Sequence, residues 1–388
     1  MSLQQTKTLV QQRAKKAWVD TGCNGVVAMA TGTGKSKIFV DLVMAIAKVD
    51  KDSKFVIVVP TQKLRDKNWK EEFEKWGALE LWDSRVIKTC YASLKKISGE
   101  KLALVGLDEC HRLTDRQKVF FDQNTVLRCI GLTATMPEDA SFASMEKRRV
   151  FREVGLRVIF IYDILSAIKE GVVAPFEITL ITMKLDNTKI QRLGYKGLTR
   201  TTEKQFYEDM ENKILLSLLH TNKDTTNLRN ARAMFLKNVP SKKYVGRSLV
   251  RRLKGRFLVF CSSKEQSEFA TDGKVYHSSS GDKFFNAFVN GELDILGAVE
   301  GLNEGHSLPD MDGILILHMT TKERDFLQRL GRAIRYRDNF VAQIYILSIE
   351  GTKDIEWTRK VLRKIGLKYK TFKLEDSYVQ KHFQEGHN

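Results

Sequence analysis

The segment TGTGKS, from Thr31 to Ser36, stands between an apolar stretch that favours a strand and a stretch that favours a helix. Glycines let successive backbone N–H groups approach a phosphate without a Cβ in the way, and the helix N-terminus adds its positive end. Lys35 would reach the β- and γ-phosphates of a nucleotide, and the Ser36 hydroxyl would bind Mg²⁺. A glycine-rich turn is the alternative, because the formal pattern has glycine where this chain has Met29. The predicted nucleotide-binding residues are Thr31, Gly32, Thr33, Gly34, Lys35 and Ser36.

A second apolar stretch, Leu104–Leu107, ends in the polar run Asp108-Glu109-Cys110-His111. The carboxyl ends of strands in α/β sheets are where ligand chemistry usually lies. Asp108 suits Mg²⁺, and Glu109 suits the polarisation of an attacking water molecule. Acidic residues placed at a helix N-terminus by the helix dipole are the alternative. With a phosphate loop on a separate strand of the same predicted sheet, the two carboxylates predict the hydrolysis of ATP with Mg²⁺.

Apolar stretches alternate with helix-prone stretches in two parts of the chain. Continuous apolar strands joined by helices indicate a parallel sheet with both faces covered, so the sequence predicts two α/β domains. The predicted strands are Val26–Ala30, Phe55–Val59, Leu102–Leu107, Val126–Leu132, Phe257–Cys261, Leu293–Val299, Gly313–His318 and Gln343–Ser348. Helices are predicted over Lys35–Lys48, Gln62–Trp76, Lys264–Ala270, Gly281–Asn290 and Glu323–Gly331. The predicted domains are residues 1–160 and 256–388, with residues 161–255 as a connector and small basic helical insert.

Positive charge is concentrated in that insert. The chain carries a net charge of +18, and between Lys184 and Arg256 there are 18 Lys and Arg against 6 Asp and Glu. Lysines and arginines that replace the counterions of a polyanion gain affinity from ion release. A solvated basic surface that aids solubility is the alternative, although solubility does not require such clustering. We therefore predict a nucleic-acid surface, with its densest cations at Lys242, Lys243, Arg247, Arg251 and Arg252.

Other features of the composition exclude several classes of protein. No run of about 18 apolar residues is present, so we expect no membrane span. The first residues contain no apolar core of a secretory signal. The five cysteines are scattered and form no CxxC pair, which indicates a reducing compartment. The expected location is the cytoplasm.

Taken in order, the motifs resemble those of the superfamily-2 helicases and extend over most of the chain. The resemblance implies two RecA-like parallel-sheet domains in tandem, ATP and Mg²⁺ as cofactors, and nucleic acid as partner. The matching segments are ATGTGKS (motif I), VVPTQKL at Val58–Leu64 (motif Ia), DECH (motif II), GLTAT at Gly131–Thr135 (motif III), FLVFCSS at Phe257–Ser263 (motif IV), EGHSLP at Glu304–Pro309 (motif V) and QRLGRAIR at Gln328–Arg335 (motif VI).

The resemblance also assigns roles to individual residues. In motif VI, Gln328, Arg332 and Arg335 would act in catalysis, the two arginines as fingers that grip the γ-phosphate. Motif III would couple the nucleotide state to the grip on nucleic acid through Thr133 and Thr135. The remaining roles are nucleotide binding by Gln11 (or its neighbour Gln12) and Gly305, and nucleic-acid contact by Pro60, Thr61, Ser262 and Ser263, for which turn and helix-cap roles are the alternative.

The stretch Tyr162–Ile178 resembles DNA helicases of the XPB and type I restriction-motor branch, including phage branch-migration helicases. We expect a monomeric, ATP-dependent DNA helicase or translocase that unwinds, anneals or branch-migrates single-stranded, forked or branched DNA in repair or recombination. A bacterial cell or its phage is the expected source. An RNA helicase with the same core and a nucleic-acid-binding subunit without unwinding activity are the alternatives. The last of these is disfavoured by five residues suited to hydrolysis, namely Lys35, Asp108, Glu109, Arg332 and Arg335.

Overall fold

The structure, a computed structural model, describes residues 3–134, 142–194, 198–220, 224–277, 281–299, 308–334, 337 and 340–379. The chain divides into two compact units, of which the first contains Met1–Pro175. The second contains Phe176–Asn303, Pro309–Ala333 and Val341–Asn388. No helix among the described residues is long and apolar enough to cross a lipid bilayer.

The first unit is built on a parallel sheet. Its strands are β1 (Asn24–Met29), β2 (Phe55–Val59), β3 (Val86–Cys90), β4 (Lys101–Leu102), β5 (Leu104–Asp108), β6 (Thr125–Val126), β7 (Cys129–Thr133) and β8 (Val158–Tyr162). Six of them form the sheet in the order β3-β2-β5-β7-β1-β8, and β4 and β6 pair separately. Every residue of β2 and β7 is buried, as expected for strands whose two faces are both covered.

Helices cover this sheet. They are α1 (Leu3–Asp20), α2 (Lys35–Val49), α3 (Trp69–Lys75), α4 (Leu79–Arg85), α5 (Asp115–Gln123), α6 (Phe142–Glu153) and α7 (Ile164–Lys169), with a π-helical turn at Leu64–Asn68 and 3₁₀ turns at Tyr91–Lys96 and Cys110–Arg112. Helix α5 begins at a capping box formed by Thr114 and Gln117, which satisfies backbone N–H groups that have no partner inside the helix.

The second unit is built on a parallel sheet of its own. Its strands are β9 (Phe176–Met183), β10 (Gln191–Leu193), β11 (Thr199–Thr201), β12 (Phe257–Phe260), β13 (Val275–Tyr276), β14 (Ile295–Ala298), β15 (Gly313–Ile316), β16 (Ala342–Ile349) and β17 (Lys370–Lys373). The sheet order is β13-β14-β12-β15-β16-β9-β17, and β10 and β11 form a separate antiparallel pair. The predicted α/β class with two parallel sheets is confirmed.

The helices of the second unit include the predicted insert. They are α8 (Glu203–His220), α9 (Thr226–Lys237), α10 (Pro240–Val250), α11 (Lys264–Ala270), α12 (Lys283–Asn290), α13 (Glu323–Ala333) and α14 (Lys353–Ile365). Buried residues of the insert, Leu236, Val239, Val245 and Val250, belong to the same hydrophobic core as β15 and β16. The basic helices α9 and α10 are therefore part of the second unit rather than a separate linker.

The observed division differs from the predicted boundary at residue 256. Strand β9 lies between β16 and β17 and pairs with β16 over its whole length, from Phe176 opposite Ala342 to Met183 opposite Ile349. Its sequence stands alone between helical stretches, far from the other strands of that sheet. Nothing local in the sequence therefore predicts that β9 pairs with β16, which lies more than 150 residues further along the chain.

Lys242 was predicted to contact nucleic acid, and the structure corrects this. Its side chain is fully buried, and its Nζ lies 2.7 Å from Oδ2 of Asp354, which is also fully buried. The same oxygen accepts a hydrogen bond from the backbone N–H of Ile349 at 3.0 Å. Burial and the charge of Lys242 hold the pKa of the neighbouring His318 well below its ordinary value, so His318 is neutral at pH 7. Lys242 and Asp354 thus form a buried one-to-one pair.

Lys242→Met should lower the free energy of unfolding by about 3–5 kcal/mol, because it leaves the Asp354 carboxylate buried without its countercharge. Lys243→Met is the matched control. Lys243 is the next residue of α10 and pairs with Glu265 near the surface, so its replacement should cost less than about 1 kcal/mol. Urea unfolding followed by circular dichroism measures both. Equal stabilities of the two variants would contradict the role of the pair.

Candidate functional site

The carboxyl ends of three neighbouring strands meet at one edge of the first sheet. In the parallel register, Ala28 of β1 lies opposite Thr133 of β7, and Asp108 of β5 lies opposite Leu132 of β7. The phosphate loop follows β1 directly, and Glu109 follows β5. The register therefore places the residues predicted from three distant motifs side by side.

The phosphate loop has the backbone that its glycines permit. Gly32 and Gly34 have φ angles of +85° and +84°, a conformation that residues with a Cβ rarely adopt. The Nζ of Lys35 donates to the carbonyl oxygens of Met29, at 2.9 Å, and Ala30, at 3.4 Å. The side chain of Met29 is buried within β1. Methionine is thus accommodated at position 29 with its side chain in the core and its carbonyl accepting from Lys35.

Gln11 reaches the phosphate loop from α1. Its side chain is buried, and its Nε2 donates to the carbonyl oxygens of Thr33, at 3.2 Å, and Gly34, at 3.4 Å. A Cβ at position 34 would overlap that amide. Of the two neighbouring glutamines that the sequence offered, Gln11 is therefore the one at the loop, and Gln12 is exposed.

Glu109 lies in a buried polar cluster. It has a left-handed backbone, with φ at +51°, and its Oε2 lies 3.2 Å from Nδ1 of His111 and 3.4 Å from Oγ1 of Thr133. Burial alone would raise the pKa of Glu109, but the His111 hydrogen bond and the positive charge of Lys35 outweigh it and lower that pKa. Glu109 is therefore ionised at pH 7, as a group that polarises water must be.

Two residues that the sequence analysis missed hold Asp108. The indole Nε1 of Trp69 donates to Oδ2 of Asp108 at 2.9 Å, and the hydroxyl of Tyr91 donates to the backbone carbonyl of Asp108 at 2.8 Å. Both donors come from segments that are distant in sequence. His111 belongs to motif II, but the sequence alone predicted no role for it. In the structure, its Nδ1 lies 3.0 Å from Oγ1 of Thr133.

These residues fit a magnesium-bound nucleotide. The loop has the positive-φ glycines that such a cradle needs, and the first turn of α2 carries Lys35 and Ser36. Asp108 ends β5, which is separated from β1 by β7 alone, and Glu109 follows it. Oxygen ligands from a hydroxyl and a carboxylate are those that Mg²⁺ prefers. Such a group would supply the phosphates to be cleaved and the divalent charge that stabilises them.

The first part of motif VI, Gln328–Ala333, lies in α13 of the second unit. Gln328 is buried and Arg332 is half-buried, and the two stand one helical turn apart. Arg329, between them, points inward, where its Nη1 donates to the carbonyl oxygen of His318 at 3.0 Å. The predicted residues Thr135, Gly305 and Arg335 lie outside the described residues.

Some predicted nucleic-acid contacts also have local structural roles. The Oγ of Ser263 accepts the N–H of Gln266 and caps α11, and the Oγ of Ser262 donates to the carbonyl oxygen of Lys237 at 3.2 Å. Thr61 is exposed and Pro60 half-buried at the end of β2. The helix-cap alternative therefore applies to Ser263, and a contact with nucleic acid remains a prediction for all four.

The cations in α10 and directly after it are partly neutralised by acidic residues in α11 and just beyond its end. Lys243 pairs with Glu265 at 2.6 Å, and Arg247 pairs with Asp272, which also lies 3.5 Å from Arg251. Glu265 and Asp272 follow Arg256 in sequence, so they are not among the six acidic residues between Lys184 and Arg256. The exposed cations at the end of this helix are Arg251, Arg252 and Lys254.

Comparison with known proteins identifies two conserved domains and a curated relative. Residues 4–138 match the family model of the type III restriction enzyme res subunit, and residues 242–337 match that of the helicase conserved C-terminal domain. The DNA 3'-5' translocase XPB2 of Sulfurisphaera tokodaii is 25% identical in an alignment that covers 90% of this chain and 83% of that protein.

Solved structures share the fold at lower identity. The ATP-dependent type ISP restriction-modification enzyme LlaBIII bound to DNA matches 97% of this chain with a TM-score of 0.57 and 16% identity, and the chain spans about a third (32%) of that enzyme. The Pyrococcus furiosus Hef helicase domain matches 91% of this chain and 97% of its own, with a TM-score of 0.53 and 16% identity. S. cerevisiae Dbp5 bound to RNA and ADP BeF3 matches 96% of this chain and 93% of its own, with a TM-score of 0.57 and 14% identity. The two units thus have the fold of tandem RecA-like domains. The two family models and the XPB2 relative place the chain among the superfamily-2 helicases and translocases.

Proposed function

We propose that this protein hydrolyses ATP with Mg²⁺ and uses the energy to translocate along DNA. The observation that carries the proposal is the convergence of Lys35, Asp108, Glu109 and Thr133 at one edge of the first sheet. Lys35 and Ser36 would hold the phosphates and the metal ion, Asp108 would bind the metal ion, and Glu109 would polarise the attacking water.

Motif VI would supply the positive charge that acts in the transition state. Arg332 is a permanently charged group, suited to the negative charge that develops on the phosphoryl oxygens in the transition state. Gln328 and Arg335 would support it. Thr133, which contacts both Glu109 and His111, would couple the nucleotide state to the grip on nucleic acid.

We propose that the nucleic acid along which the protein moves is DNA rather than RNA. The matched relative is named a DNA translocase, and three exposed cations, Arg251, Arg252 and Lys254, stand at the end of α10. We propose single-stranded, forked or branched DNA as the substrate, a monomer as the working form, and unwinding, annealing or branch migration as the outcome. ATP hydrolysis measured with single-stranded, duplex, forked and four-way DNA, and with RNA, tests this. If RNA alone stimulated ATP hydrolysis, RNA rather than DNA would be the substrate.

Lys35→Ala should lower the DNA-stimulated rate of ATP hydrolysis about 100-fold or more, because the phosphates lose their main cation. The matched control is Lys37→Ala, two residues further along α2, where the cation pairs with Asp41 at 2.7 Å. That variant should hydrolyse ATP at close to the wild-type rate. Phosphate release measures both, and circular dichroism checks folding. A folded Lys35→Ala protein with wild-type turnover would refute the nucleotide site.

Arg332→Ala should lower kcat about 1000-fold while ATP affinity changes little, because the arginine acts mainly in the transition state. Arg324→Ala is the control on the same helix, since Arg324 pairs with the adjacent Asp325 at 3.5 Å. Single-turnover hydrolysis and binding of a fluorescent ATP analogue separate the two effects. Lost nucleotide binding with unchanged chemistry would be the opposite of the expected result.

Arg251→Glu combined with Arg252→Glu should weaken binding to all DNA sequences alike. Each lost phosphate contact should lower the slope of log affinity against log salt concentration by about 0.9 on duplex DNA. Arg359→Glu with Lys360→Glu is the control, because it changes the net charge equally at exposed positions of α14. Fluorescence anisotropy over a range of salt measures the slopes. Equal losses of DNA affinity in the two double variants would show that only the net charge of the protein determines DNA binding.

A further inference from the structure

The geometry points to Trp69 as a positioning residue that fixes the Asp108 carboxylate for a divalent cation. This inference rests on the proposed nucleotide site but assigns a function to a residue outside the helicase motifs. Trp69 is the first residue of α3 and is 2% exposed, and its indole Nε1 lies 2.9 Å from Oδ2 of Asp108.

An indole is suited to this role because it is neutral and only donates. A lysine or arginine at this place would neutralise the carboxylate and compete with a cation. The indole N–H instead holds one carboxylate oxygen and fixes the plane of the group, while the negative charge stays available to a metal ion. Outer-shell hydrogen bonds to ligating carboxylates act in this way in metal sites.

Packing fixes the position of the indole itself. The ring of Trp69 meets the ring of Phe39 edge-to-face, with centroids 5.6 Å apart and an interplanar angle of 89°. Phe39 is fully buried on α2, the helix that carries Lys35 and Ser36. It also fills the space beside Gly106 of β5, where a Cβ would overlap the Phe39 ring. The indole therefore touches the helix of the phosphate loop and, through its hydrogen bond, the strand that ends in Asp108.

The path of the chain before Trp69 supports a functional role. A π-helical turn at Leu64–Asn68 precedes the residue. Such turns are rare in proteins as a whole, and those that occur are often at functional sites. Tyr91 fixes the backbone of Asp108 through its carbonyl oxygen. The carboxylate of Asp108, the group that would bind a cation, thus accepts from Trp69, whereas its backbone carbonyl accepts from Tyr91.

Trp69→Phe tests the inference, because phenylalanine keeps an aromatic ring against Phe39 and removes the N–H. The affinity for Mn²⁺ in the presence of a non-hydrolysable ATP analogue, measured by electron paramagnetic resonance, should fall about 10–100-fold. Binding of the same analogue in EDTA should be unchanged. Trp82→Phe is the control, since Trp82 is also buried in the first unit but packs against Phe73, and its Mn²⁺ affinity should equal that of the wild type.

A double-mutant cycle separates positioning from general damage to the fold. In an Asp108→Ala background, Trp69→Phe should change the residual Mn²⁺ affinity less than about 3-fold, because residues that act through one another are not additive. An undiminished loss in that background, or no loss in Trp69→Phe alone, would overturn the inference and leave the proposed function intact. Absence of metal-dependent nucleotide binding in the wild type would instead overturn both.

Discussion

The parallel register of the first sheet is the constraint on which the candidate site depends. In a parallel sheet every strand ends at the same edge, so residues at the ends of β1, β5 and β7 are neighbours although more than 100 residues of sequence separate the first from the last. No single motif builds the site. A shift of one residue in the pairing of β5 with β7 would turn the side chain of Asp108 to the other face of the sheet. Full burial of β7 on both faces is what makes such a shift costly.

The sequence predicted those parts of the structure whose signals are local. The phosphate loop, the acidic run and most strands are contiguous patterns, and the observed α2 and α11 begin at the predicted residues. Trp69 and Tyr91 could not be identified, because nothing near them in sequence shows that Asp108 accepts their hydrogen bonds. Strand β9 was missed for the same reason, since its partners lie far along the chain.

The cations near α10 show most clearly that charges counted along the sequence do not predict which of them are exposed. The five cations in α10 and directly after it looked equivalent in sequence, with no acidic residue among them. In the fold, Lys242 is buried against Asp354, whereas Lys243 and Arg247 face acids of α11 or its C-terminal end. A buried pair of this kind contributes little net stability compared with apolar residues of the same size, yet it penalises any arrangement that separates its members. It therefore fixes the position of α10 on the second sheet rather than offering charge to a ligand.

The contact of Phe39 with Gly106 has an evolutionary consequence. The strand that ends in Asp108 can approach the helix of the phosphate loop this closely because position 106 has no side chain and position 39 supplies the volume. Protein interiors are packed densely enough that even one added methyl group is felt. The two positions should therefore covary among relatives, with alanine or a larger residue at 106 accompanied by a smaller one at 39. Where that exchange occurs, the residue corresponding to Trp69 loses its aromatic support, so a third position is expected to change with the pair.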